Sequence, residues 1–332
     1  MGPTTPFGAA RAPLTFVPFE DHLKQALATE ETGYPAGVAL SARSCQSSAE
    51  RLADPNHQAD HDRTASLPAG LRYREGKAPM TILDMFRLTD QVVLITGASS
   101  GLGVSFAVAA AEAGADVVIT ARRADRLRET AQAVEAAGRR CLAVPADISD
   151  AVACTTVVQA AMAEFGRVDV LVNNAGVGAA VPATRETPEH FQWVMGTNLN
   201  GAYWMAQACG RIMRPGSCIV NVSSILAITT AGLPQAAYSA SKAALLGLTR
   251  DLAQQWGSRK GIRVNALAPG FFASEMTDQL ADGYLDSIKP RIVLGDLGDP
   301  GALAATLVWL VSPAAGYVTG QTVVVDGGIT LT

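Results

Sequence analysis

A chain of 332 residues with 48% hydrophobic and 17% charged side chains folds around a core, as one large domain or two small ones. Its formal charge of −4 provides no basic field, which argues against nucleic acid or a membrane surface as partner and leaves small-molecule chemistry open. The five cysteines (Cys45, Cys141, Cys154, Cys209, Cys218) form no CxxC pair, the apolar run at 302–311 is far shorter than the ~20 residues of a membrane span, and the start lacks a signal-peptide profile. These features indicate a cytoplasmic protein.

The first eighty residues hold eight of the seventeen prolines, no isoleucine and only two valines, Val17 and Val38, so they supply no strand. Phe19, Leu23, Ala26 and Leu27, followed by Gly33, have helical spacing and predict a short surface helix; the rest reads as coil. His57 and His61 stand four apart beside Asp60 and Asp62, the spacing of two metal ligands on a helix. In a polar, proline-flanked run such residues read as solvated side chains, and no metal is expected. The predicted organisation is a mostly disordered extension over 1–84 followed by a folded domain over 85–332.

From Phe86 onward, short β-branched runs alternate with alanine-rich helical stretches. Strands are predicted at 92–96, 116–120, 141–145, 169–173, 218–223, 263–268 and 322–325. Helices are predicted near 102–113, 124–137, 150–165, 187–213, 236–257, 274–285 and 299–311. Continuously apolar strands, each followed by a helix, describe a parallel sheet covered on both faces: a single doubly wound α/β domain.

Between the first strand and the first helix lies TGASSGLG at 96–103. Gly97 permits the tight turn, Gly101 lets the backbone approach a pyrophosphate, and Gly103 lets the helix pack on the sheet, while Ser99, Ser100 and Leu102 complete a cradle at a helix N-terminus. Further on come Asp147 after the third strand and Asn173-Asn174-Ala175-Gly176 after the fourth. Asn198 follows in TNLNG, then Ser223-Ser224 at a strand end, Tyr238-Ser239-Ala240-Ser241-Lys242 at a helix start, Pro269-Gly270 with Ser274, and the closing Val324-Val325-Asp326-Gly327-Gly328. Positions four apart share a helix face, so Lys242 can lie close to the phenol of Tyr238, and an ammonium there favours the phenolate. Three of the four histidines fall in the first 84 residues and His190 opens a polar helix, which argues against histidine catalysis and makes this tyrosine a candidate for proton exchange.

In this order on one chain, over about 87–332, these motifs resemble the short-chain dehydrogenase/reductase family. The resemblance implies a Rossmann fold and hydride transfer between a nicotinamide cofactor and a carbonyl or secondary alcohol. It gives Ser224 the role of orienting the carbonyl, Tyr238 that of passing the proton, and Lys242 that of holding the ribose and lowering the tyrosine pKa; Asn198 supports a water relay. On the cofactor side it implies that Asp147 contacts adenine, that Asn174, Ala175 and Gly176 support the sheet edge, and that Pro269, Gly270 and Ser274 meet the nicotinamide end. The long helices at 187–213 and 236–257 resemble the family's oligomer-forming pair, which implies a dimer or tetramer.

The second strand ends Ile119-Thr120-Ala121-Arg122-Arg123, where a carboxylate would hold the ribose hydroxyls of NAD. Ala121 removes its repulsion of a 2′-phosphate and Arg122 offers a charge-assisted contact, so NADP(H) is favoured over NAD(H); the alternative is that Arg122 and Arg123 merely solvate a helix start. Two other functions compete: an NAD-dependent alcohol or hydroxysteroid dehydrogenase, and a non-catalytic nucleotide sensor, which would normally show a broken tetrad. Relative to the family, the stretch from Ser224 to Tyr238 runs one residue long, leaving Ser223 open as the alternative, and Asp296 replaces a frequent arginine. The segment 274–300 carries six carboxylates against Lys289 and Arg291, and Val177, Leu226, Phe271 and Phe272 could line an apolar pocket or pack in the core. Together they favour a neutral ketone or sugar-like carbonyl.

The residues ahead of Met85 are either an extension or sequence upstream of a start at Met80 or Met85, and they contain none of the site residues above. A chain starting at Met85 is expected to fold, bind cofactor and keep turnover within about threefold of the full chain, measured side by side. Loss of folding would show that the preceding segment docks on the domain.

Overall fold

The protein is described by a computed structural model over residues 81–332, except 274 and 279–282. The expectations for the helix at 19–27, for His57 and His61, for the extension and for Ser274 lie outside the described residues.

Seven strands form one sheet: β1 (Val92–Thr96), β2 (Asp116–Ala121), β3 (Cys141–Pro145), β4 (Val170–Asn173), β5 (Cys218–Val222), β6 (Arg263–Pro269) and β7 (Thr322–Val325). All pairings are parallel, in the order β3-β2-β1-β4-β5-β6-β7. The helices are α1 (Leu102–Glu112), α2 (Ala124–Ala136), α3 (Ala151–Phe165), α4 (Pro188–Met195), α5 (Ala202–Ile212), α6 (Ala236–Lys260), α7 (Glu275–Asp278), α8 (Tyr284–Ile288) and α9 (Pro300–Val311). This is the doubly wound Rossmann-like architecture expected from the alternating pattern.

Strand β1 shows why the apolar run has no polar face. Val93 and Ile95 pack with Phe106 of α1, Leu127 of α2 and Leu307 of α9, whereas Val92 and Leu94 pack with Val157 of α3, Met205 of α5 and Leu252 of α6. Successive side chains point to opposite faces, and both faces are buried, so all five residues are apolar or, like Thr96, hydrogen-bonded. The order reverses at β1, between β2 and β4, which opens a crevice at the strand C-termini.

One helical expectation is refined and another needs correction. The predicted helix at 187–213 is present as α4 and α5, joined without a break by a π-helical turn at Gly196–Gly201. Periodicity at 3.6 residues does not reveal an inserted residue, and such turns are frequent at functional sites. The helix predicted near 274–285 is replaced by α7 and by α8, which starts after Gly283 in the left-handed region at φ 76° and runs on to Ile288.

Candidate active site

The crevice is walled by the turns after β1 and β4. At φ 70° Gly97 adopts a conformation other residues avoid, and a Cβ there would lie 2.6 Å from the Ala175 Cα. Asn174 fixes this approach: its Nδ2 donates to the carbonyls of Thr96 (2.9 Å) and Gly97 (3.2 Å), and its backbone N–H donates to Thr96 Oγ1 at 3.0 Å. The N-terminus of α1 has no side-chain cap, so its N–H groups and positive dipole end face the crevice.

Of the described residues expected to be catalytic or cofactor-binding, all but Asn198 line one cavity of about 510 Å³: Gly97, Ser99, Ser100, Gly101, Leu102, Gly103, Arg122, Asp147, Asn174, Ala175, Gly176, Ser224, Tyr238, Lys242, Pro269 and Gly270. A separate cavity of about 590 Å³ runs between α1 and α9, lined by side chains such as Val104, Val108 and Val308 and by none of these residues. Asn198 sits behind the first cavity within the π-helical turn, 1% exposed. Its Oδ1 accepts from the Val177 N–H at 2.8 Å, while its Nδ2 donates to the Val177 carbonyl at 2.8 Å and to Ser241 Oγ at 3.0 Å. It therefore ties the turn after β4 to α6.

The two serines at the end of β5 separate clearly. Ser223 Oγ donates to the Lys242 carbonyl at 2.8 Å and so serves α6, whereas Ser224 is the side chain that lowers the Tyr238 phenol pKa against burial. Ser224 Oγ also accepts from the Leu226 N–H at 3.1 Å, which starts the short turn Ile225–Ala227. Both serines line the cavity, but Ser223 Oγ is engaged by the α6 backbone while Ser224 is the one that acts on the Tyr238 phenol.

Lys242 lies one turn after Tyr238, with Nζ 5.7 Å from the ring centroid, and donates to the Val222 carbonyl at 2.8 Å. Electrostatics here depart from expectation. Burial pushes the Tyr238 phenol up from its ordinary value, with only the Ser224 hydrogen bond pulling it down, and burial brings the Lys242 ammonium down to about 8. The lysine is not among the causes acting on the phenol; burial, which opposes the charged form of both groups, sets the direction of each.

At the end of the cavity beyond β3, burial opposes ionisation of Asp147, but hydrogen bonds from Ser149 and the charge of Arg122 hold its carboxyl below the usual range. Val177 and Phe272 line the cavity, whereas Phe271 and Leu226 pack around Ile225, Ile288 and Ile329. Asp296 pairs with Lys289 at 3.5 Å, a local exchange of charge that gives its unexpected identity a partner.

The profile of the enoyl-(acyl carrier protein) reductase family matches residues 97–330. The chain is also 40% identical over 252 residues to the 2-dehydro-3-deoxy-D-gluconate 5-dehydrogenase of Dickeya dadantii (strain 3937), covering 74% of this chain and 98% of that protein. The chain belongs to the short-chain dehydrogenase/reductase family. This family member is similar, too, to the galactitol 2-dehydrogenase (L-tagatose-forming) of Cereibacter sphaeroides, at 39% identity over 74% of this chain and 98% of the relative. Among solved structures, a short-chain dehydrogenase of Burkholderia cenocepacia J2315 in complex with NADP shares 33% identity at a TM-score of 0.71, covering 74% of this chain and 99% of that one. The protein is thus an NAD(P)-dependent oxidoreductase acting on CH–OH or C=O groups.

The residues of this dehydrogenase/reductase fit a dinucleotide. A Cβ at Gly97 or Gly103 would close the cradle, Gly103 meeting the Gly97 carbonyl, and hydroxyls, backbone N–H groups and arginines line the phosphate side. The sequence reading missed Gly178, Trp193, Thr197 and Thr277, which also line the cavity. A Cβ at Gly178 would lie 2.6 Å from Tyr238 Cδ2, so that glycine is legible only once the ring is placed. It also undervalued Arg123, whose side chain reaches back to Ser99 and Ser100. Among the described residues no helix is long and apolar enough to cross a membrane, and no group of three or more His, Cys, Asp or Glu is arranged to hold a metal ion.

Proposed function

We propose that this enzyme interconverts a neutral ketone or sugar-like carbonyl and its secondary alcohol with NADP(H), with Tyr238 as the proton donor or acceptor. The observation that carries the reading is the Ser224–Tyr238 hydroxyl pair on the cavity wall, with Lys242 one helical turn behind it. When bound, the nicotinamide supplies or accepts the hydride at the carbonyl carbon. The Ser224 and Tyr238 hydroxyls converge on one substrate oxygen. In reduction the Tyr238 O–H bond breaks, its proton forms the new O–H bond of the alcohol, and the resulting phenolate is stabilised by the nearby ammonium before solvent returns a proton. Gly97, Ser99, Ser100, Gly101, Leu102 and Gly103 hold the pyrophosphate, Asp147 the adenine, and Asn174, Ala175, Gly176, Pro269, Gly270 and Ser274 the nicotinamide half. Asn198 is a positioning residue that keeps the turn at Gly176 beside Lys242, whose Nζ lies 3.2 Å from a Cβ built at Gly176. We also infer assembly as a dimer or tetramer through α4–α5 and α6, and a catalytic domain spanning 85–332.

The test is a panel of ketones, polyols and sugar acids with either cofactor, followed by nicotinamide absorbance; activity confined to carrier-protein thioesters would overturn the substrate reading. The cofactor reading has its own variant. Replacing Ala121 with Asp and Arg122 with Ser is expected to shift the ratio of kcat/KM toward NAD(H) by at least ~10-fold, since the carboxylate gains the ribose hydroxyls and a 2′-phosphate loses a cation. An unchanged ratio would count against Arg122 as the phosphate contact.

A further inference from the structure

At the mouth of the cavity the chain supplies its own anion to the phosphate cradle. Arg123 follows β2 and reaches back over the glycine-rich turn, donating from Nη2 to Ser100 Oγ at 2.7 Å and Ser99 Oγ at 3.1 Å. The same Nη2 lies 2.9 Å from Oε2 of Glu275, the first residue of α7 and 152 positions along the chain. Arg123 first, then Ser100 and the charge of Arg126, hold the Glu275 carboxyl below its usual range. One guanidinium seated on the cradle hydroxyls therefore holds the carboxylate, and it is the donor a phosphate there would use. Arg122 has its own acidic neighbour, since its charge acts on Asp147. Asp147 is anchored by Ser149, whereas the Glu275 side chain is 46% exposed and can turn into solvent.

We propose that Glu275 is an internal competitor for the anionic end of the cofactor: it occupies Arg123, is displaced when a 2′-phosphate binds, and so limits the preference for NADP(H) over NAD(H). This inference rests on the NADP(H) reading above and assigns Glu275 and Arg123 as specificity-determining residues. A pair whose side chains are both about half exposed is screened by solvent, which sets the effect at about two- to fivefold in affinity.

The probes are adenosine 2′,5′-bisphosphate and adenosine 5′-phosphate, titrated calorimetrically into the full-length wild type, Glu275→Gln, Arg123→Ala and the double variant. Glu275→Gln is expected to tighten the bisphosphate about two- to fivefold with little change for the monophosphate, and the gain should vanish in the Arg123→Ala background and at high salt. Thermal melting controls for folding of each variant. An affinity ratio unchanged by Glu275→Gln, or an equal gain without Arg123, overturns the competitor. The wild-type ratio tests the cofactor reading separately. A ratio raised by Glu275→Gln supports the competitor whichever fragment the wild type prefers. An unmoved ratio with a wild-type preference for the bisphosphate removes the competitor and leaves the NADP(H) reading standing.

Discussion

Replacing Tyr238 with Phe is expected to lower turnover at least ~10²-fold while cofactor affinity stays within about twofold, because only the hydroxyl proposed to transfer the proton is removed. The ring remains to pack beside Gly178, and the lost partner, Ser224, keeps its bond from the Leu226 N–H, so melting should change little. Fluorescence titration of the nicotinamide and single-turnover rates separate binding from chemistry. Near-normal turnover in the variant would remove Tyr238 from the mechanism. The electrostatics add a direction. Burial raises the phenol's pKa, so at neutral pH the group is poised as an acid, which suits carbonyl reduction. Alcohol oxidation needs the phenolate, and its rate is therefore expected to climb with rising pH while the reductive rate stays flat.

How much of this was legible in the sequence depends on what each residue's role requires. The strands were readable because both sheet faces are buried: a run such as VVLIT at β1 has no solvent side to interrupt it, and the observed bounds match the prediction. Gly97 and Gly103 were readable because close backbone approach leaves no alternative residue, as their Cβ distances bear out. Gly178 was not, since its constraint comes from a tyrosine sixty positions away. The π-helical turn at Asn198 escaped for a similar reason: the hydrogen bonds that hold Asn198 there, to Val177 and Ser241, are tertiary contacts. Arg122 and Arg123 look alike in sequence. Only the fold sends Arg123 back over Ser99 and Ser100 to Glu275 and leaves Arg122 exposed beside Asp147.

Lys242→Met should separate the site's chemistry from its cost in stability. The lysine is 3% exposed, and its displacement from 10.5 to about 8 corresponds to roughly 3 kcal/mol against the charged form. Methionine keeps the apolar stem and loses the Nζ bond to the Val222 carbonyl, worth about 1 kcal/mol net. Relief of the buried charge wins, so at pH 7 the variant is expected to melt a few degrees above the wild type while turnover falls at least ~10²-fold. The sign follows from linkage. Between about 8 and 10.5 the unfolded chain binds more protons at this position than the folded one, so wild-type stability contributed by this group rises with pH across that window. The advantage of Lys242→Met is accordingly greatest below about pH 8 and shrinks as pH approaches 10.5. Melting curves of both proteins over that range decide the matter: a variant less stable at pH 7 would show that the Val222 contact holds β5 to α6 more strongly than the buried charge opposes it.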